Sequence, residues 1–351
     1  MEEIENKIET KLEKNVLEKI LDHKALIFII AGILARILML FYYYYSHIKF
    51  PSRTWGDVEL NFNQSIYYPP LGTAMLDLFR FISFGFIEVF AFWAFLWDLG
   101  TTLMFYFVLK NFHIKNIFYA FGLFLVNPFY FLHNSFSLEN CGYHITDAFF
   151  FFFLFMALIF YPRKENYARY LFYIFLGISM CVKYYTLPAL GFFFLKYLFE
   201  KDWKELKRFM LCLVPILTVF LIVPILFIEP YLSDLLEWYS IGGGTPLYLR
   251  IIPIGLIALL FIIFRLRKSD GFEIVIISII AMASFMVFSY RYLRWFQSII
   301  FYGILVERDF FKFDLNLGIV KRTINVNNHI LTFYLSFIGV FLSYLFILYV
   351  I

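Results

Sequence analysis

Two carboxylates, Asp57 and Glu59, stand in the stretch RTWGDVELNFNQSIYYPPLGTAML, which runs from Arg53 to Leu76. A carboxylate set against a hydroxyl can serve as a general base. Tyr68, Pro69 and Pro70 follow the two acids. Proline fixes its own φ and restricts the residue before it, so this turn has few shapes open to it. Farther on, Lys183 breaks a long apolar run at KYYTLP. A buried cation needs an anion. No carboxylate lies close to Lys183 in sequence, so a lipid phosphate is a natural candidate. Arg291 and Arg294, in YRYLR, could hold the same phosphate or simply anchor the chain at a membrane boundary.

Other ionisable residues also sit within apolar segments: Arg36, Asp98, Asp147 and Lys196. Charges at such positions cost several kcal/mol on insertion scales, and they mark pairs or pathways. Arg36 and Asp98 are expected to form a structural ion pair. Lys196 is near the end of its run and can snorkel. Asp147, with Thr146 beside it, opens an apolar run and can cap a helix N-terminus. Capping does not exclude a functional role. Further polar groups gather in three segments: Asn61, Asn63 and Gln64; His133, Asn134, Glu139 and His144; Glu229, Asp234 and Glu237 ahead of GGGTP. A single glutamate in such a loop is most simply solvated surface. Asp57 is the stronger candidate, because Trp55 and Gly56 precede it in a loop amphipathic enough to lie along a membrane.

The elements that must position these residues are apolar helices. The 351-residue chain is 62% hydrophobic and its mean hydropathy is +0.77, which excludes an ordinary soluble domain. With about 20 apolar residues needed per crossing, full spans are expected at 25–46, 86–109, 116–132, 143–161, 209–228, 249–264, 272–289, 292–306 and 329–350. The segment 170–199 is too long for one span and too short for two, so it is expected to form two half-helices that enter and leave on one side. Broken helices of this kind are tolerated where protein or a cavity surrounds them. The fold class predicted is therefore all-α: a polytopic membrane protein with about nine full spans and one re-entrant pair.

Charge placement orients the chain. With the N-terminus in the cytoplasm, only Lys49, Arg53, Arg80, Arg250, Arg291 and Arg294, of 30 lysines and arginines, fall in outward-facing segments. This is the positive-inside pattern, and reading 170–199 as one span would destroy it. The net charge of +4 is no evidence for nucleic acid. Residues 1–24 form a mixed Glu/Lys amphipathic segment on the cytoplasmic side, with no cleavage site after it. Residues 25–351 make a single membrane domain. Cys141, Cys181 and Cys212 have neither metal spacing nor a disulfide framework, and the last two are expected to be packing residues. The sequence holds no P-loop, no HExxH, no Gly-x-Ser-x-Gly and no Cys/His cluster. An enzyme built this way needs a substrate activated without a bound nucleotide.

Taken in order, these motifs resemble the GT-C superfamily of membrane glycosyltransferases, and most of all the GPI-pathway mannosyltransferases with their archaeal and bacterial relatives. The likeness rests on Asp57 followed by YYPPLGTAML, Asp98 in LWDLGTTLMF, and Asn127 and Pro128 in LVNPFYFLHNSF. It continues through Asp147 in ITDAFFFFFLFMAL to Gly177, Lys183 and Pro188 in LGISMCVKYYTLPAL. It covers residues 25–230; the last third matches only in being helical. Members often carry two adjacent acids in the first loop, whereas here Glu59 stands two residues after Asp57.

The resemblance implies transfer of a hexose, mannose by the family's example, from a polyprenyl- or dolichyl-phosphate donor to a glycan or lipid acceptor. The transfer would invert the anomeric carbon at an outer or luminal active site. It implies Asp57 as base with Glu59 as an uncertain partner. Substrate contacts would fall to Lys183, Arg291, Arg294, Asp147, Tyr68 and His133. No cofactor is implied, and one Asp with one Glu is too little to assign a divalent metal. Expected partners are the donor, the acceptor and membrane lipids, not nucleic acid. The expected location is the cell membrane or, in a eukaryote, the endoplasmic reticulum. The alternatives are a transporter or flippase for a lipid-linked or polar solute, against which no inverted repeat is found, and a non-catalytic membrane subunit.

Overall fold

Among the described residues, apolar sequence becomes helix almost throughout. The structure, a computed structural model, describes residues 26–34, 36–38, 41, 44–45, 58, 62–63, 68–114, 117–126, 145–228, 231, 247–287, 309–316 and 321–327. Its helices are α1 (Leu26–Leu38), α2 (Pro70–Ile82), α3 (Ile87–Asn111), α4 (Ile117–Val126), α5 (Ile145–Phe160), α6 (Asn166–Val182), α7 (Pro188–Glu200), α8 (Trp203–Leu217), α9 (Val223–Phe227), α10 (Leu247–Phe264) and α11 (Gly271–Val287). A π-helical stretch, Thr218–Ile222, joins α8 to α9 without a break. Two helices, Ile87–Asn111 and Trp203–Phe227, are long and apolar enough to cross a membrane. The expected spans at 292–306 and 329–350 lie outside the described residues.

One departure from the all-helical expectation is clear. A hairpin of β1 (Asp309–Asn316) and β2 (Lys321–Asn327) pairs antiparallel within a stretch expected to be an inner loop. Its strands alternate, as in FKFDLN and RTINVN, and this period of two suits a ribbon rather than a helix. The hydropathy argument passed over it because the segment is polar.

The segment 170–199 folds back on itself, as its length requires. Lys183 is extended (φ −149°, ψ 142°) and ends α6. A 3₁₀ turn, Tyr184–Thr186, follows. Pro188 then takes the first turn of α7, where its missing N–H costs nothing. The return is visible in side-chain contacts: the Phe172 and Phe193 rings lie 5.9 Å apart, and the Tyr173 and Tyr197 hydroxyls 2.5 Å apart. Lys201 in the left-handed region ends α7. Asp202 caps α8 by accepting from the Glu205 N–H at 3.0 Å.

The core is a stack in which α5 packs between α3 and α6, with α8 on the far side of α6. Helices α3 and α5 run parallel, through Trp97 with Phe149 and Phe105 with Phe155. Helices α5 and α6 run antiparallel, through Phe160 with Phe175. Gly177 lets α8 approach α6, since a Cβ there would stand 2.8 Å from a Leu213 methyl. Cys181 and Cys212 are buried packing residues, as expected. Lys196 pairs with Glu200 at 2.6 Å, one turn on.

Candidate active site

Three helix ends meet at one point. Asp147 lies in the first turn of α5, where the helix dipole favours a carboxylate. Lys183 lies just past the last turn of α6. Pro70 starts α2, and Tyr68 stands two residues before it. The Lys183 Nζ donates to Asp147 Oδ1, and the two form a salt bridge. Both are buried, at 5% and 8% exposure. The same ammonium lies 5.3 Å from the centre of the Tyr68 ring and 5.6 Å from that of Tyr185, so two aromatic faces add to its stabilisation.

This corrects one expectation. Lys183 has a protein anion, supplied from 36 residues upstream. Sequence proximity missed it because antiparallel packing of α5 and α6 brings the start of one helix to the end of the other.

The elements around the pair are held closely. The Thr101 hydroxyl lies 2.9 Å from the Ala148 carbonyl and ties the start of α5 to α3. The Tyr185 ring packs edge-on against Phe150 at 5.3 Å. The Thr73 N–H donates to the Pro69 carbonyl at 3.0 Å, and the Thr73 hydroxyl reaches the Tyr68 carbonyl at 3.3 Å. Gly72 rests on the Val182 carbonyl so closely that a Cβ would stand 2.6 Å from the oxygen. Gly72→Ala is therefore expected to lower stability by about 1–3 kcal/mol and to lift Tyr68 from Lys183. Gly191→Ala, where nothing stands within 4 Å of the added carbon, is the matched control. Unfolding midpoints of the two variants in detergent check this.

The pair is recessed. Trp97 and Thr101 of α3 stand level with Phe149 and Ala148, and from Trp97 back to Ile87 the helix rises about 15 Å farther. Cys181 of α6 stands level with Ile216, and from there to Phe227 the chain continues about 16 Å. The short helices α5, α6 and α7 thus end at a floor, while α3 and α8–α9 continue past it as walls. Helix α2 crosses above the floor. It buries Gly72, Thr73 and Leu76 and exposes Asp77, Leu78 and Phe81. Its Phe79 packs on Trp93, Trp97 and Phe149.

Two described residues of the first loop, Val58 and Phe62, are packed against protein. Val58, between the two acids, is 1% exposed, and the Phe62 ring lies 5.5 Å from Phe90 in the first turn of α3. Asp57, Glu59, His133, Arg291 and Arg294 lie outside the described residues, as do Asn127 and Pro128. Arg80 is described: it pairs with Asp77 at 2.7 Å. Burial pulls its guanidinium below the usual value while Asp77 opposes the shift, and it stays cationic throughout. Among the described residues no three His, Cys, Asp or Glu side chains gather to hold a metal.

Sequence reasoning missed Tyr185 and the π-helical stretch. Tyr185 has a local signal, two residues after the lysine. The π-helical stretch has one in Pro215 and Pro224, which bracket it and each remove a helix N–H. Comparison with family models, curated proteins and solved structures finds no match.

Proposed function

We propose that this chain is an integral-membrane glycosyltransferase of the GT-C type. On this reading it has about nine spans and a re-entrant pair, its N-terminus in the cytoplasm and its active site on the outer or luminal face. It moves a hexose, with mannose as the expected sugar, from a polyprenyl- or dolichyl-phosphate carrier to a glycan or lipid acceptor, with inversion. The observation that supports this best is the meeting of Tyr68, Asp147 and Lys183 on one recessed floor. These residues come from three separate motifs that the resemblance groups together.

The chemistry needs a base, a cation and a dry, shaped space. Asp57 takes the proton of the acceptor hydroxyl, whose oxygen then attacks the anomeric carbon. The bond from that carbon to the phosphate oxygen breaks, and the lipid phosphate leaves with its electrons. Positive charge must meet that phosphate. Lys183 is the buried cation at the floor, but Asp147 already balances it. A phosphate arriving there meets a pair with no net charge, one member of which repels it. A second cation is required, and Arg291 or Arg294 fills that role. Asp147, Glu59 and His133 remain for the sugar or the acceptor, and Tyr68 with Pro69 and Pro70 shapes the rim. A broken helix beside a buried ion pair also suits a transporter, which moves its solute without making a glycosidic bond.

The deciding experiment supplies membranes carrying the full chain with labelled polyprenyl-phosphate mannose and follows transfer. Wild type is expected to transfer sugar, and Asp57→Asn is expected to be slower by roughly 100-fold or more. An Asp57→Asn rate equal to wild type removes Asp57 as the base. Movement of the intact carrier across the bilayer, with no transfer, replaces the enzyme by a transporter.

A further inference from the structure

At the opposite end of the α3–α5–α6 stack lies a second polar site, about 25 Å from Lys183 along α6. It is a shallow, open cavity of about 470 Å³ lined by Asn111, His113, Pro162, Arg163, Lys164 and Glu165. Asn111 is the last residue of α3, one of the two helices able to cross a membrane. The cavity thus sits where that helix leaves the apolar layer, at headgroup depth. Lys110 stands beside it, exposed. Tyr167, 54% exposed, sits on the next turn with an amphipathic ring suited to the interface.

The lining carries more cationic and N–H-donating groups than acidic ones. Arg163 and Lys164 are charged, His113 and Asn111 add N–H donors, and Glu165 is the one opposing carboxylate. Among the described residues none of Arg163, Lys164 and His113 takes part in a salt bridge, although Glu165 follows Arg163 and Lys164 in sequence. The Arg163 guanidinium stacks on Phe160 at 5.3 Å, which holds it in place without neutralising it. The cavity lies just past the C-terminal ends of α3 and α5, whose carbonyls disfavour an anion. Several cationic groups are therefore needed there, not one. His113 takes the left-handed backbone region (φ 53°), which histidine enters more readily than most side chains.

We propose that this cavity binds the phosphate of an anionic lipid headgroup on the basic, cytoplasmic face. The inference rests on the membrane reading of α3 and is independent of the transfer chemistry. A free phosphate offers the same chemistry. The depth of the site and its exposed tyrosine favour the lipid, because anionic lipids concentrate at the cytoplasmic surface.

The test uses the full chain, purified in neutral detergent, and counts bound molecules by native mass spectrometry. Probes are phosphatidylglycerol, phosphatidylcholine and inorganic phosphate, each added alone. Wild type should retain phosphatidylglycerol and not phosphatidylcholine. Arg163→Gln with Lys164→Gln should weaken that retention by about tenfold or more. Lys204→Gln with Lys207→Gln, on α8, should leave it unchanged. Equal retention by wild type and the cavity variant overturns the site. Equal loss in both variants replaces it with general surface charge. Inorganic phosphate held without preference for the lipid overturns the headgroup assignment.

Discussion

Asp147→Ala is expected to destabilise the protein by about 3–5 kcal/mol, the cost of leaving a buried charge without its partner. A typical domain has only about 5–15 kcal/mol in total. The Lys183 ammonium would remain 5% exposed, with two tyrosine rings for company and no carboxylate from Asp147. Cation–π contacts contribute about 0.5–2 kcal/mol and do not make up that loss. Lys183→Met is expected to cost less, since the Asp147 carboxylate keeps the dipole of α5 and can take up a proton. The double change Asp147→Leu with Lys183→Met should recover most of the stability, because two well-packed apolar side chains often replace a buried pair without penalty. Activity should not follow stability. If Lys183 receives the lipid phosphate, the double variant folds and does not transfer sugar. Unfolding by SDS titration and the transfer assay separate the two. A double variant as unstable as Asp147→Ala would show that the pair is not the source of the effect. A double variant with wild-type transfer would remove Lys183 from the chemistry.

Local pattern made some of this legible and hid the rest for identifiable reasons. The break at Lys183 could be read because KYYTLP interrupts a run of the wrong length, and length is a one-dimensional property. The ion pair of Arg36 and Asp98 could be anticipated because each charge stands alone in an apolar segment and their signs are opposite. The partner of Lys183 could not be read, because antiparallel packing sets contacts that sequence distance does not encode. The hairpin at Asp309–Asn327 was missed because a search for apolar spans is blind to a polar ribbon. The recess depends on where short helices stop beside long ones, and that emerges only when ends are compared in space. The acids Asp57 and Glu59 have described neighbours: Val58, which is buried, and Phe62, which packs on Phe90 of α3. Their own carboxylates rest on the sequence argument alone.

Asp98→Ala is expected to be as damaging as Asp147→Ala, again by about 3–5 kcal/mol, yet its rescue should differ. Arg36 is 1% exposed and ties three helices together. Its Nε donates to Asp98 Oδ2 at 2.8 Å on α3. Its Nη1 donates to the Leu125 carbonyl at 2.7 Å, near the end of α4, and lies 3.3 Å from the Gly32 carbonyl on its own helix. The Leu125 carbonyl thus accepts a charge-assisted hydrogen bond from the guanidinium. Gly32 makes the approach possible, since a Cβ in its place would stand 2.5 Å from Leu125 Cβ. The guanidinium fork therefore performs two tasks that a single ammonium cannot share. Arg36→Lys should still cost about 1–3 kcal/mol, because a buried acceptor loses its donor. Arg36→Met with Asp98→Leu should recover less than the matching double change at Lys183 and Asp147, by about the same amount and for the same reason. SDS unfolding of the four variants measures both differences. An Arg36→Lys protein as stable as wild type would reduce the arginine to a point charge and sink the argument from its fork.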